Sequence, residues 1–113
     1  MDSISLQEIQ IRRALYGMGI LPTRKGYRYL LDAVRAACEG EIPGRQVYQQ
    51  LGEAYGIKAS SIKSSIQYVI GQAHNRCTPL YLEITGSGRA APAPTPSEFI
   101  CLLAAWLEDH RAP

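Results

Sequence analysis

The stretch that decides the fold runs from Val47 to Ile66 and reads Val-Tyr-Gln-Gln-Leu-Gly-Glu-Ala-Tyr-Gly-Ile-Lys-Ala-Ser-Ser-Ile-Lys-Ser-Ser-Ile. Apolar residues recur at helical spacing on both sides of Gly56, at positions 47, 48, 51, 54 and 55 before it and at 62, 66, 69, 70 and 73 after it. The pattern predicts two helices separated by a tight turn, with the second helix over about residues 59–75.

The residues of the turn support the same interpretation. Gly56 can take the left-handed conformation that ends a helix. Gly52 allows the two helices to cross closely, and Ser60 or Ser61 is placed to cap the second helix by accepting a hydrogen bond from a free backbone N–H. A helix, a turn and a second helix form the shape that enters the DNA major groove. An ordinary helical hairpin without a ligand shows the same pattern.

The distribution of charge favours the DNA interpretation, although the net charge of the chain is only +2. Eight of the twelve basic residues lie in two windows without Asp or Glu, residues 9–31 and 54–82: Arg12, Arg13, Arg24, Lys25, Arg28, Lys58, Lys63 and Arg76. Such segregation suits a surface that faces phosphates, because cations displace condensed counterions. A solvated basic face is the alternative.

Length and composition indicate one domain over residues 1–113, since 113 residues bury a single core and are too few for two. An apolar content of 46% is typical of a globular protein. No run approaches the roughly 20 apolar residues of a membrane helix, and the first residues do not resemble a secretion signal. We expect a cytoplasmic protein that has no membrane partner.

Further elements follow along the chain. The apolar pattern predicts a helix over about residues 5–17 and another after a Thr23 cap, whose stripe from Tyr27 to Cys38 must face the core. Residues 77–96, rich in Gly and Pro, are expected to be a flexible loop, with a short helix or extended piece at 80–84. Thr95-Pro96-Ser97-Glu98 is a capping box before a last apolar helix. That helix closes the core, or a partly exposed Phe99 or Trp106 marks a dimer interface.

Catalytic and metal-binding motifs are not evident. Cys38, Cys77 and Cys101 are widely spaced and are expected to be reduced, and no paired spacing with His74 or His110 pre-assembles a zinc site. The Gly-Ser-Gly at 86–88 lacks the rest of a phosphate loop. We therefore expect no enzymatic activity, no metal and no cofactor.

Three separated blocks resemble a known family. They are Gly-Tyr-Arg-Tyr-Leu-Leu-Asp-Ala-Val at 26–34, the second helix with Ile62, Ile66, Ile70, Ala73 and Arg76, and Pro-Ser-Glu-Phe-Ile at 96–100. In this order, and over roughly residues 4–110, they resemble the C-terminal effector domain of the stage-zero sporulation protein A response regulators, without the receiver domain. The resemblance implies an all-α bundle of about five or six helices that contains a helix-turn-helix, of the winged-helix-like or response-regulator effector class.

The resemblance also implies a function, which is sequence-specific binding of double-stranded DNA to regulate transcription in sporulation. At the positions where the family presents arginine and glutamate to bases, this chain has Ser61, Lys63, Ser64, Gln67 and Tyr68. The candidates for phosphate contacts are Lys25, Lys58, Ser60 and Arg76. Lys63 can reach a guanine acceptor, and Gln67 can pair with adenine. RNA polymerase, which the family contacts through the segment that matches Cys77–Gly86, and a second copy of the chain on DNA are the other expected partners.

The serines of the second helix, at positions 60, 61, 64 and 65, also support a second hypothesis. A helix that no longer reads bases would leave the chain a protein-interaction module, which pairs through the apolar last helix with a full-length relative, as an antagonist. Loss of DNA affinity with salt separates the two hypotheses.

Overall fold

The computed structural model describes residues 5–110, which form six helices and no strand. The helices are α1 (Leu6–Gly17), α2 (Lys25–Cys38), α3 (Arg45–Tyr55), α4 (Ala59–Arg76), α5 (Pro79–Thr85) and α6 (Pro96–Asp109). The all-helical class predicted from the sequence is therefore confirmed. The described residues contain no β-strand, in agreement with the expected all-α class.

Helix α2 is the centre of the bundle, because it packs against α1, α3, α4 and α6. Its apolar stripe is buried as predicted, with Tyr27, Leu30, Leu31 and Val34 each at most 5% exposed. Helices α4 and α6 complete the core with their own buried residues: Ile62, Ile66, Val69, Ile70, Ala73, Phe99, Ile100, Leu103 and Leu107. Helix α4 is therefore held by its inner side, and its outer side faces solvent.

Three threonine or serine caps fix the starts of α1, α5 and α6. The Ser5 side chain accepts a hydrogen bond from the Glu8 N–H, and the Thr78 side chain accepts one from the Tyr81 N–H. The capping box at Thr95 and Glu98 is present in both directions, with Pro96 as the first helical residue. The sequence predicted this last cap correctly.

Two other predicted caps are wrong. Helix α2 begins at Lys25 with Arg24 at the N-cap and no side-chain cap, so Thr23 does not cap it. Helix α4 begins at Ala59, because the Lys58 carbonyl already accepts hydrogen bonds from the N–H groups of residues 61 and 62. Ser60 and Ser61 therefore lie inside its first turn rather than at its cap.

The turn between α3 and α4 forms as expected. Gly56 is left-handed, with φ 71°, and the Ile57 N–H donates to the Gly52 carbonyl at 2.9 Å. A Cβ on Gly52 would lie 2.6 Å from the Ile57 carbonyl oxygen and 3.2 Å from the Ala59 nitrogen. Gly52 thus makes room for the backbone of the turn and for the start of α4.

The segment predicted to be a flexible loop, residues 77–96, contains a helix. Thr78 and Pro79 start α5, and Tyr81 and Ile84 are buried three residues apart on one side of it. Residues 86–95 contain no helix. The short helix expected as one alternative for residues 80–84 is therefore present, and a cap and two core contacts stabilise it. No helix of residues 5–110 is long and apolar enough to span a membrane.

Candidate nucleic-acid interface

The outer side of α4 brings the base-contacting candidates together. Ser61, Lys63, Ser64, Gln67 and Tyr68 are all exposed, and so is Ser60. The core residues of α4 lie mainly on the other side of the helix, and Lys63 lies at the border between the two sides. The helical period explains the separation, since exposed positions recur three and four residues apart. The fold thus presents one polar face, and this face carries no acidic side chain.

The N-terminal end of α2 lies directly against the middle of α4. A Cβ on Gly26 would be 2.2 Å from the Ser65 carbonyl oxygen, so glycine is required for this backbone contact. Lys25 precedes Gly26 and is exposed, as is Arg24. Close packing of the two backbones therefore puts the Lys25 phosphate candidate beside α4.

Arg76 and Lys58 mark the two ends of α4. Arg76 is its last residue, and its aliphatic stem packs on Gly19, where a Cβ would be 2.5 Å from the Arg76 Cδ. Lys58 is the N-cap residue. Both side chains are exposed. Lys58 and Arg76 therefore place one exposed cation at each end of α4, and Lys25 lies beside its middle.

The hydroxyl group of Tyr68 is oriented by the side chain of Gln72. The Gln72 amide Nε2 donates a hydrogen bond to the Tyr68 oxygen at 3.2 Å, and the Tyr68 side chain is 63% exposed. Because the amide occupies an acceptor position of the oxygen, the phenolic O–H remains to donate. Tyr68 is thus suited to an acceptor on a partner, such as a phosphate oxygen or a base acceptor.

The basic window at residues 9–31 is only partly a free cationic surface, because Arg12 and Arg28 form ion pairs. Arg12 Nη2 lies 2.7 Å from Glu8 Oε2, and Arg35 Nη2 lies 3.4 Å from Glu8 Oε1. Arg28 Nε is 3.6 Å from Asp32 Oδ1. Hydrogen bonding with Arg12 is the main cause that lowers the pKa of Glu8. Two arginines that the sequence suggested for phosphates are therefore neutralised within the protein.

The same cluster orients α3. The Tyr55 hydroxyl donates a hydrogen bond to Asp32, and the Tyr55 ring packs edge-on against Tyr29 with centroids 4.9 Å apart. Burial, followed by the hydrogen bond to Asp32, raises the pKa of Tyr55, and the hydrogen bond with Tyr55 raises the pKa of Arg28. The last residue of α3 is thereby fixed to α2 just before the turn to α4.

Two groups near α4 were missed by the sequence reasoning. Arg45 is exposed and lies with Ser60 and Lys63 in a surface groove; it falls outside both acid-free windows, so the charge pattern gave no signal. His74 is buried and follows Ala73 on the apolar side of α4, which is a signal that periodicity offers.

His74 links α4 to the segment that follows it. Its Nε2 lies 2.7 Å from the Ala91 carbonyl oxygen, and its Nδ1 lies 2.8 Å from the Tyr81 hydroxyl. Because a carbonyl only accepts, Nε2 carries the proton and, in the neutral ring, the Tyr81 O–H donates to Nδ1. Burial raises the pKa of Tyr81, so its hydroxyl keeps its proton.

The described residues include no cluster of three or more His, Cys, Asp or Glu side chains that could hold a metal ion. Cys38 and Cys77 are half-buried and Cys101 is exposed.

Comparison with known proteins finds no matching family model, and no curated protein or solved structure matches the chain. The resemblance to the sporulation effector domain therefore stays a prediction based on the three sequence blocks.

Proposed function

We propose that this chain is a cytoplasmic, sequence-specific DNA-binding regulator of transcription, of the sporulation effector type, and that α4 docks in the major groove. One observation carries the proposal: α4 exposes a polar face without acidic residues and has exposed cations at both ends and along one side. A helix of 18 residues is about 27 Å long, which is enough to cross the groove.

The side chains of the face have the required chemistry. Gln67 pairs with adenine, and Ser61 and Ser64 bond to donors or acceptors on several bases. The Tyr68 hydroxyl donates to a phosphate or to a base acceptor. Lys25, Lys58 and Arg76, with the Ser60 hydroxyl, bind backbone phosphates beside the groove.

A second candidate function is supported by a different surface. Phe99 is fully buried and Trp106 is half-buried, with its indole N–H bonded to Glu83 at 2.7 Å, so α6 offers less apolar surface than the sequence predicted. Helix α1 instead exposes Leu6 and Tyr16, at 66% and 72%. A mainly apolar groove of about 510 Å³ lies beside Tyr16. A protein-interaction module would thus have an apolar surface on α1 in addition to α6, where Leu102 is 36% exposed.

The proposal includes protein partners in the DNA-bound state. RNA polymerase would contact α5, where Leu82 is 42% exposed, and a second copy would occupy a neighbouring half-site. Both partners follow from the family resemblance. Cross-linking on a promoter fragment, with Leu82→Ala as the test variant, examines the first of them.

Binding to random duplex DNA at two salt concentrations tests the main proposal. Each cation that neutralises a phosphate contributes about −0.9 to the slope of log affinity against log salt concentration, so three cations predict a slope of about −2.7 or steeper. A variant with alanine at Lys25, Lys58 and Arg76 should lose most of this slope. Absence of binding at low salt would favour the protein-interaction function. Selection from a random DNA pool then shows whether bases are read.

A further inference from the structure

A groove of about 350 Å³ lies beside the first turns of α4, between α3 and α6. Its lining includes Gly44, Arg45, Tyr48, Ser60, Lys63 and Ser97. The residues come from three helices that are distant in sequence, so the groove exists only in the folded chain. The sequence patterns assign Lys63 to a base contact and Ser97 only to the capping box, and they give Arg45 no role.

The groove is cationic. Arg45 and Lys63 are both exposed, and neither forms an ion pair with a carboxylate of the described residues. Glu98 follows Ser97, but its carboxylate is turned back to its own helix cap, where it accepts the Thr95 N–H at 2.8 Å. Two cations therefore face the same space without an opposing charge from the lining.

Hydroxyl groups complete the lining. Tyr48 is 5% exposed, and its hydroxyl lies 3.1 Å from the Ser97 Oγ. Either oxygen can donate in this bond, so the other hydroxyl hydrogen remains for a ligand. Ser60 adds a third hydroxyl. Every polar side chain of the lining can thus donate a hydrogen bond, and none can only accept one. The groove therefore favours an anion with several oxygen atoms.

The position of the groove identifies the anion. Lys63 and Ser65 are two residues apart and thus about 200° apart around the helix, so the groove and the Gly26 contact lie on opposite sides of α4. A helix in the major groove has a phosphate backbone on each side. Lys25 faces one strand, and the Arg45 groove faces the other.

We infer that this groove binds a backbone phosphate of the DNA, with the Arg45 guanidinium as a bidentate donor and Lys63 as a second cation. The inference rests on the proposed DNA-binding function and changes the role of Lys63 from a base contact to a phosphate contact. The hydroxyls of Ser60 and Ser97 bond the remaining phosphate oxygens. Free phosphate offers the same chemistry, so the experiment must separate the two sources.

The test compares Arg45→Ala, Lys63→Ala and Ser97→Ala with Arg89→Ala, a matched loss of an exposed arginine in the segment 86–95. Arg45→Ala and Lys63→Ala should each lower the affinity for all duplexes alike, several-fold, and each should reduce the salt slope by about 0.9. Ser97→Ala should lower affinity with little change of slope. Arg89→Ala should change neither quantity.

Each alternative has its own signature. If the wild type binds DNA and Arg45→Ala behaves like Arg89→Ala, the groove assignment is wrong and the DNA-binding function stands. Relaxed base preference in Lys63→Ala would return that residue to the bases and overturn its place here. Titration with inorganic phosphate, followed by NMR at constant ionic strength, covers the other source. Shifts at Arg45 and Ser60, together with unchanged DNA binding by Arg45→Ala, would show a small-anion site instead. No DNA binding by the wild type would overturn both proposals.

Discussion

The segment of residues 9–31 and helix α4 both contain basic residues and no acidic residue, but they differ in how many of their cations form ion pairs. In the first segment, Arg12 and Arg28 form ion pairs with Glu8 and Asp32. In α4, Lys63 and Arg76 face solvent without a paired carboxylate among residues 5–110. The cations of α4 are therefore available to an anionic partner, whereas in the first segment only Arg13, Arg24 and Lys25 lie outside these ion pairs.

The difference has a simple geometric origin. Glu8 and Asp32 stand one residue outside the ends of the first acid-free window, and each lies four residues along a helix from the arginine that it pairs with. A linear window therefore hides pairs that helical geometry makes direct neighbours. Around α4, by contrast, no Asp or Glu lies within four residues of Lys63 or Arg76. When basic residues on a helix are used to predict a cationic surface, acidic residues at positions i±3 and i±4 should therefore be included in the count.

The largest effect is expected where the two regions touch, at Gly26. Gly26→Ala places a Cβ 2.2 Å from the Ser65 carbonyl oxygen, a backbone atom that cannot rotate away. The free energy of unfolding should fall by about 1–3 kcal/mol, and DNA affinity should fall beyond the loss of folded protein, because α4 is displaced from Lys25. Urea denaturation and DNA titration measure the two quantities. Unchanged stability would show that α2 and α4 are not packed in this way.

Glu8→Gln tests the neutralised region. The Glu8 side chain is 11% exposed, but its arginine partners are one third to one half exposed. The loss at neutral pH should be about 1–2 kcal/mol after allowance for solvent screening. Because folding lowers the pKa of Glu8 below its usual 4.5, this contribution is fully present above pH 4.5 and is lost as the pH falls through the folded-state value.

The melting temperatures of the wild type and Glu8→Gln should therefore converge in acid. Glu53→Gln on the exposed side of α3 is the control and should melt like the parent at every pH. A constant difference between Glu8→Gln and the wild type from pH 7 to pH 3 would contradict the assignment.

A paired comparison of two arginines tests the contrast directly. Arg76→Ala should weaken binding to all duplexes alike and reduce the salt slope by about 0.9. Arg12→Ala should leave the slope unchanged, since its guanidinium already serves Glu8. Equal salt slopes for Arg76→Ala and Arg12→Ala would contradict the proposed difference between α4 and the segment 9–31.

The smallest effect is expected at Gly71, on the outer side of α4, where an added Cβ meets no atom within 4 Å. Gly71→Ala should raise the free energy of unfolding by about 0.5–1 kcal/mol, because glycine is a poor helix former. If the face lies in a groove, the added methyl group should still change DNA affinity. Calorimetry and DNA titration on the same sample separate stability from contact.

Much of the fold followed from local rules. The stripe of α2, the cap at Thr95 and the left-handed Gly56 are each determined by neighbours in sequence. The serine caps predicted for α4 failed for a local reason. Helix α4 starts at Ala59, before the serines that were expected to cap it, because the backbone at Lys58 already serves as its cap. Helix α5 is short and depends on the core contacts of Tyr81 and Ile84.

The candidate site shows the same division. The exposed positions of α4 could be predicted from periodicity, since its buried residues alternate with them at helical spacing. Arg45 and Ser97 could not be predicted, because they reach α4 only through the packing of α3 and α6 on the core. Local sequence patterns predict the exposed positions of a helix, and long-range packing determines which residues lie at its sides.

The hydrogen bonds of His74 have a consequence for how the molecule opens. Tyr81 in α5 and Ala91 in the following segment are both hydrogen-bonded to the buried ring of His74 in α4. Breaking either bond strands a buried polar group, so α5 and the segment around Ala91 should not fray independently of α4. In native-state hydrogen exchange the amides of α5 should then slow to the rates of the last turns of α4. His74→Phe should release α5 to exchange on its own.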